Sequence, residues 1–392
     1  MHKNFKEMRK RILIDATTIV EKTDGLSNYI LNLLKNYPEQ SFKDFDLSLL
    51  VNKNVRRKEL DELIESRKFK IVEANIAPIG PMRDLDMFKF YRKNKETFDI
   101  FHSTSNNYPL CMKRGIATVH DISSYLYMKK PWWTFGMAPR YLSLVILQSL
   151  KRASAIISVS KATKNILEET YKFDRNIKDK IEVIYEGWEH LINETTEQKV
   201  DPDSNEYGKY LFYVGTTRKH KNMRGLLKAF NIAKDRLDSN VNLVLSGSDG
   251  YLDEEDAKLI AAINEKSQRV TFTGYVSNEK LMNLFRNSTA FIFPSLVEGF
   301  GIPVLESFYF EKPLLCSNTT SLPEIAGDAA MYFNPENEHE IADTIVEFFK
   351  DPSIGPVLVE KGKLRLKEFS WQKAAVETVA LYHKYFYHKN LN

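Results

Sequence analysis

Short apolar runs alternate along this chain with stretches whose apolar residues recur at three- and four-residue spacing. RILIDAT (11–17) reads as a buried strand, and LSLLV (47–51), FDIFHS (98–103), IATVHD (116–121), AIISVS (155–160) and KIEVIYEG (180–187) read the same way. Helical patterns lie between them. One starts at Ser27, after a turn at Asp24-Gly25, and puts Tyr29, Ile30, Leu33 and Leu34 on one face. Another fits Tyr141 to Arg152, and SKATKNILEETY opens with Ser160 in an N-cap position. The segment 193–209 has no apolar periodicity and contains Pro202 and Gly208, which marks a linker. A second set follows: YLFYVG (210–215), VNLVLSG (241–247), VTFTG (270–274), TAFIFPS (289–295) and PLLCS (313–317). Helical patterns separate these runs at 222–237, up to 265, at 279–287 and from Pro303.

Strand–helix alternation with nearly continuous apolar strands predicts parallel sheets covered on both faces. Two such sets predict an α/β protein of two doubly wound, Rossmann-like domains facing a cleft. The boundaries read as 1–192 for the first domain, 193–209 for the linker and 210–370 for the second domain. A C-terminal helix, 371–392, is expected to pack back on the first domain. Ligands of such sheets sit at the carboxyl ends of the strands.

Composition narrows the classes. Of 392 residues, 43% are hydrophobic and 28% charged, which excludes a disordered chain, a collagen and a coiled-coil rod. The longest apolar candidate for a bilayer span, Tyr141 to Leu150, is ten residues and contains two Ser and a Gln. The basic head at the start is followed by three apolar residues before Asp15, so no secretory signal is expected. Cys111 and Cys316 then read as reduced thiols of a cytoplasmic protein. Residues 1–190 hold 33 Lys and Arg against 24 Asp and Glu, while the remainder holds 23 against 28. A basic first half suits an anionic partner such as a phosphate or a membrane surface, or is simply a lysine-rich solvated face.

The densest chemistry is in FIFPSLVEGFGIPVLE (291–306). A strand ends at Phe293-Pro294, and a loop carries Glu298, Gly299, Phe300 and Gly301. Pro303 then fits the first helical position, where its missing N–H costs nothing. Unpaired N–H groups and the positive end of the helix dipole make this start an anion site. Glycines let a ligand approach the backbone. Glu298 on the loop and Glu306 one turn into the helix can face one ligand from two heights, and carboxylates accept from hydroxyl pairs. Two Glu eight apart mean little by themselves, and a strand–turn–helix with solvated Glu is the plain alternative.

That string resembles the E-x7-E signature of retaining glycosyltransferases of family 4, which have the GT-B fold. YLFYVGTTRKHKNMRGLLKAF, VTFTGYVSNEKLMNLFRNSTAFIFPS and PLLCSNTTSLPEIAGDAAMYFNPEN resemble the family's donor domain; ATVHD, AIISVSKATKNIL and KIEVIYEG resemble its acceptor domain. The resemblance implies transfer of a hexose from a nucleotide diphosphate sugar, GDP- or UDP-linked. The acceptor would be a glycan or lipid-linked saccharide in bacterial surface polysaccharide (O-antigen-type) synthesis. No cofactor, no metal and no nucleic acid are implied. Glu306 resembles the glutamate that binds the nucleotide ribose, and Glu298 the one that contacts the donor sugar, with the backbone of Phe300 and Gly301 nearby. Tyr275 falls in the donor-domain string and is assigned to the nucleotide. Arg218 and Lys221 match a basic pair on the diphosphate, His120 a histidine that reaches the donor sugar, and Gly25 a glycine loop near the phosphates. The chain departs from the pattern twice: the paired glycines are reduced to Asp24-Gly25-Leu26-Ser27, and the arginine before the lysine is His220.

Three Asp-x-Asp triplets, at 44–46, 84–86 and 201–203, do not end strands and read as chance, so no metal site is expected. The segment 128–152 combines Lys129, Lys130, Trp132, Trp133 and Arg140 with an apolar run. It suits peripheral contact with an anionic membrane at its inner face, or else a core helix behind a surface loop. Two rival readings remain. A sugar-nucleotide epimerase on the same fold needs acid and base groups around a sugar with no acceptor. A two-lobed sugar-binding protein needs an export signal.

Overall fold

The computed structural model describes residues 9–387 apart from 21–24, 54, 56, 67–68, 78–80, 107, 113, 122–145, 149, 173–174, 190–205 and 248–251. The chain forms two compact units, Met1–Glu186 with Trp371–Asn392, and Gly187–Ser370. In unit 1 the described strands are β1 (Lys10–Asp15), β2 (Phe45–Asn52), β3 (Lys70–Ala74), β4 (Ile100–Ser103), β5 (Gly115–Val119), β6 (Ala155–Ser158) and β7 (Ile181–Val183). Their order is β3-β2-β1-β4-β5-β6-β7, every pairing is parallel, and the order reverses between β1 and β4. Every residue of β4, β5 and β6 is buried, because helices cover both faces. β3, on the edge, is largely exposed and carries Lys70 and Glu73, so the apolar pattern did not predict it. Gly115 is required where β5 passes β4: a Cβ there would lie 2.0 Å from the Phe101 carbonyl oxygen.

The helices of this unit include α1 (Gly25–Lys35), α2 (Lys58–Ser66), α3 (Pro81–Asn94) and α4 (Lys161–Tyr171). α1 buries Tyr29, Ile30, Leu33 and Leu34, as the spacing predicts, but it begins at Gly25 instead of Ser27. Ser27 is buried inside the first turn, where its hydroxyl accepts from the Val20 N–H at 3.2 Å. Ser160 caps α4 by accepting from the Thr163 N–H at 3.0 Å.

Unit 2 repeats the plan with β8 (Lys209–Gly215), β9 (Val241–Gly247), β10 (Val270–Phe272), β11 (Ala290–Phe293), β12 (Leu314–Ser317) and β13 (Ala330–Phe333). The order is β10-β9-β8-β11-β12-β13, all parallel, reversing between β8 and β11. Its helices include α5 (Met223–Ala233), α6 (Glu254–Ile263), α7 (Asn278–Asn287), α8 (Ile302–Tyr309), α9 (Leu322–Ala326), α10 (Glu338–Lys350) and α11 (Ile354–Leu366). Leu226, Leu227 and Phe230 of α5 pack with Ile341 and Ile345 of α10 against Leu211 and Tyr213 of β8. This core makes the carboxyl ends of β8 and β11 a rigid platform.

The last helix, α12 (Trp371–Tyr387), belongs to unit 1. Trp371 meets Tyr29 edge-on, with centroids 5.7 Å apart. The fully buried Tyr382 hydroxyl lies 2.7 Å from the Tyr37 hydroxyl and 2.6 Å from His102 Nδ1, and His102 Nε2 lies 3.0 Å from Thr118 Oγ1. Burial, with His120 nearby as a lesser cause, pushes the His102 imidazole down to about 3. Among the described residues no helix is long and apolar enough to cross a membrane. Lys129, Lys130, Trp132, Trp133, Arg140 and Asp201 to Asp203 lie outside the described residues.

Candidate functional site

In unit 2 the strand order reverses between β8 and β11, and the loops leaving those two strands meet. β8 ends at Gly215, and the chain turns through a short 3-10 helix, Lys219–Lys221, into Asn222, whose φ is 57°. β11 ends at Phe293 and runs through Pro294 to Gly301. Lys221 Nζ donates to Glu298 Oε1 at 2.7 Å and sits 5.7 Å from the centre of the Phe293 ring. The Leu296 N–H donates to the His220 carbonyl at 2.8 Å. Asn222 Nδ2 donates to the Pro294 and Pro335 carbonyls at 3.1 and 2.8 Å, tying the two loops to a third.

The loop after β12 braces the Glu298 backbone from the other side. The Glu298 N–H donates to Thr320 Oγ1 at 3.0 Å, and Ser321 Oγ donates to the Glu298 and Phe300 carbonyls at 3.1 and 2.9 Å. The side chains of Lys221 and Glu298 are 21% and 12% exposed, so the ion pair is largely buried and reaches solvent only at its edge. Gly301 precedes α8 with φ 104°, a region that side chains rarely adopt, and a Cβ there would lie 2.8 Å from Leu322 Cδ2. The helix starts at Ile302, so Pro303 is its second residue, one later than the sequence pattern suggests; either position leaves no ladder bond broken. Phe300 is buried, Glu306 lies one turn into α8, Arg218 is exposed at the start of the 3-10 turn, and Tyr275 is 64% exposed just past β10. Unit 2 therefore brings Lys221, Glu298, Phe300 and Gly301 into one braced loop cluster, with Arg218 and Glu306 on its flanking turn and helix.

The reversal point of unit 1 lies between β1 and β4, and His120 stands just past the adjoining strand β5. Thr104 Oγ1, just past β4, donates to the Asp15 carbonyl at 2.5 Å, and the Asp15 carboxylate forms a fully buried ion pair with Arg83 of α3. His120 follows β5. Its N–H donates to Asn106 Oδ1 at 2.7 Å, and Asn106 Nδ2 donates to the Asp121 carbonyl at 2.5 Å. Its ring Nε2 donates to the Thr104 carbonyl at 2.9 Å, and its Nδ1 lies 3.3 Å from Glu186 Oε1. The Tyr29 ring stands at 84° to the imidazole with centroids 4.4 Å apart. Gly25 opens α1, exposed, with nothing within 4 Å of where a Cβ would stand.

Thr104, Asn106, Glu186, Thr320 and Ser321 join these sites without a motif to mark them. Their signal is slight: each is a polar residue a few positions past a strand, and Glu186 falls within the run 180–187 whose apolar pattern predicts a strand. The cysteines take no part. Both are free, and burial pushes the Cys111 thiol up to about 11 and the Cys316 thiol higher still. Asp84 and Asp86 lie on α3, where Asp86 accepts from the Ala77 N–H at 3.2 Å; Asp44 and Asp46 lie before and inside β2.

Two parallel sheets with reversing strand order, each bearing polar groups at its reversal point, define the class. The family described as Glycosyltransferase Family 4 matches residues 23–189, and the one described as Glycosyl transferases group 1 matches residues 194–365. The chain belongs to glycosyltransferase family 4 and has the GT-B fold. It is 28% identical over 290 residues to the O-antigen chain mannosyltransferase B of Escherichia coli, an alignment spanning 72% of this chain and 74% of that one. It is 27% identical over 236 residues to the O-antigen chain mannosyltransferase RfbU of Salmonella typhimurium, spanning 60% of this chain and 61% of that one. Its fold is similar to that of HepE from Anabaena, solved in complex with UDP and glucose: the TM-score is 0.68 at 14% identity, over 96% of this chain and all of the other.

Proposed function

We propose that this glycosyltransferase moves a hexose, mannose before glucose or N-acetylhexosamine, from a GDP- or UDP-linked sugar to a glycan or lipid-linked acceptor in polysaccharide synthesis. Transfer proceeds with retention and without a metal. The observation that carries this reading is the Lys221–Glu298 contact at the reversal point of unit 2, beside the glycine-led start of α8. A departing nucleoside diphosphate gains negative charge, and a cation already oriented by its own carboxylate stabilises that charge without reorganising. Arg218 supplies a second cation, and the N–H groups at the start of α8 a third positive feature. Glu306 accepts from the ribose hydroxyls, Glu298 from the sugar, and Tyr275 offers an exposed ring to the base. Retention follows front-face attack, with the leaving phosphate oxygen taking the acceptor proton, so no side-chain nucleophile is needed. Mannose comes first because the two O-antigen relatives are named mannosyltransferases.

The test is release of nucleoside diphosphate and transfer to acceptor over a panel of GDP-mannose, UDP-glucose and UDP-N-acetylglucosamine, with and without EDTA. The expected result is turnover of one donor, fastest with GDP-mannose, unchanged by EDTA, giving a product with the donor's anomeric configuration. Epimerisation of a UDP-sugar without transfer would replace this reading with an epimerase. Loss of turnover in EDTA, restored by Mg²⁺ or Mn²⁺, would remove metal independence.

Gly25 gives a sharper check on the phosphate side. A methyl group there meets no protein atom, and alanine favours a helix start over glycine. Gly25→Ala should leave the melting temperature unchanged or slightly raised. It should weaken donor binding on the order of tenfold, because the methyl group occupies space the phosphates need. Equal donor affinity in calorimetry would free Gly25 from that role.

A further inference from the structure

Both ring nitrogens of His120 face acceptors within unit 1. Nε2 meets a carbonyl oxygen, that of Thr104 at 2.9 Å, so it carries a proton. A neutral ring would then present the Nδ1 lone pair to Glu186 Oε1 at 3.3 Å, acceptor against acceptor. The contact is attractive only with a proton between the two atoms, carried by Nδ1 or by Glu186 Oε1. Glu186 is 4% exposed, three residues past β7. The rest of the surround is fixed: Asn106 holds the His120 backbone, and Tyr29 stands edge-on to the ring. Among the described residues the neighbouring titratable groups are His102 on β4, held neutral in its buried network, and Tyr29 on α1, whose hydroxyl ionisation burial suppresses.

We propose that Glu186 is a positioning residue for His120, holding a proton on Nδ1 so that the ring is a fixed imidazolium at the carboxyl end of β5. Resting on the proposed transferase reading, this gives His120 a definite task. With both N–H groups committed to Thr104 and Glu186, the ring offers the anionic donor a localised positive charge instead of a free hydrogen-bonding nitrogen. The charge is useful only in the protonated form, and among the described residues Glu186 is the direct partner of the ring that carries the countercharge.

The experiment compares wild type with Glu186→Gln, His120→Gln and the double variant. Glutamine keeps the size of the side chain and removes its charge, so all four proteins are checked for equal thermal unfolding. Nitrogen-15 NMR of ring-labelled histidine at pH 7, with His120 assigned by the His120→Gln variant, reads the ring without any substrate. Both nitrogens of His120 should be protonated in wild type, and one should lose its proton in Glu186→Gln. A neutral His120 in wild type, or an unchanged ring in Glu186→Gln, overturns the proposal. In turnover, Glu186→Gln should lower kcat by roughly ten- to a hundredfold with KM changed less, and the double variant should be no slower than His120→Gln. Independent, multiplying losses would overturn the coupling. A wild type that turns over no nucleotide sugar defeats the transferase reading and leaves the ring measurement to decide this proposal.

Discussion

Lys221→Ala lowers turnover by on the order of 10²-fold or more, with a smaller change in donor KM. Two effects act together. The variant removes the cation that meets the charge developing on the leaving diphosphate. It also leaves the carboxylate of Glu298, whose backbone is fixed by Thr320 and Ser321, without its partner cation. That carboxylate, 2.7 Å from where the ammonium stood, then repels the same diphosphate. Lys221→Ala with Glu298→Ala should therefore be less impaired than the product of the two single losses. Arg218→Ala should also slow turnover, but by less, since its side chain is exposed and not held. Stability should fall as well, because the two side chains are largely buried and the variant leaves the Glu298 carboxylate without its cation. The measurement is kcat at saturating donor for each variant. Normal turnover in Lys221→Ala would make the residue a brace between loops and nothing more.

Acid should unfold unit 1 through His102. Its folded-state value, about 3, lies below the ordinary histidine value of 6.5, so below 6.5 the unfolded chain binds a proton that the folded unit does not. Stability from this group is therefore complete above pH 6.5 and is lost progressively as pH falls toward 3. The slope is about 1.4 kcal/mol per pH unit, which amounts to several kcal/mol across the window. Protonation would break a network in which Tyr382, Tyr37 and Thr118 satisfy a neutral ring. Because Tyr382 lies on α12, that helix should loosen with it. Chemical denaturation at pH 7 and pH 5 reads the effect. His102→Gln should be less stable than wild type at pH 7 and should lose most of the pH dependence. An equal slope in both proteins would assign acid sensitivity to other groups.

The sequence by itself determined the α/β class, the two sets of strands, and the strand–loop–helix that carries Glu298, Gly301 and Glu306. The reason is local. Apolar periodicity reports which faces are buried, and a glycine or proline marks a backbone need that no neighbour can override. The edge strand β3 escaped because an exposed strand has no apolar pattern to show, and α1 begins two residues early because Ser27 faces inward. Tertiary structure alone decided which polar residues meet. Lys221 and Glu298 are 77 positions apart, His120 and Glu186 are 66 apart, and Tyr37 and Tyr382 are 345 apart. Each of the first two pairs forms because its residues leave parallel strands at the same end of one sheet, and strand order, not sequence distance, sets which loops are neighbours. Tyr382 reaches Tyr37 and His102 only because α12 belongs to unit 1, and a buried hydroxyl must find a partner wherever packing provides one.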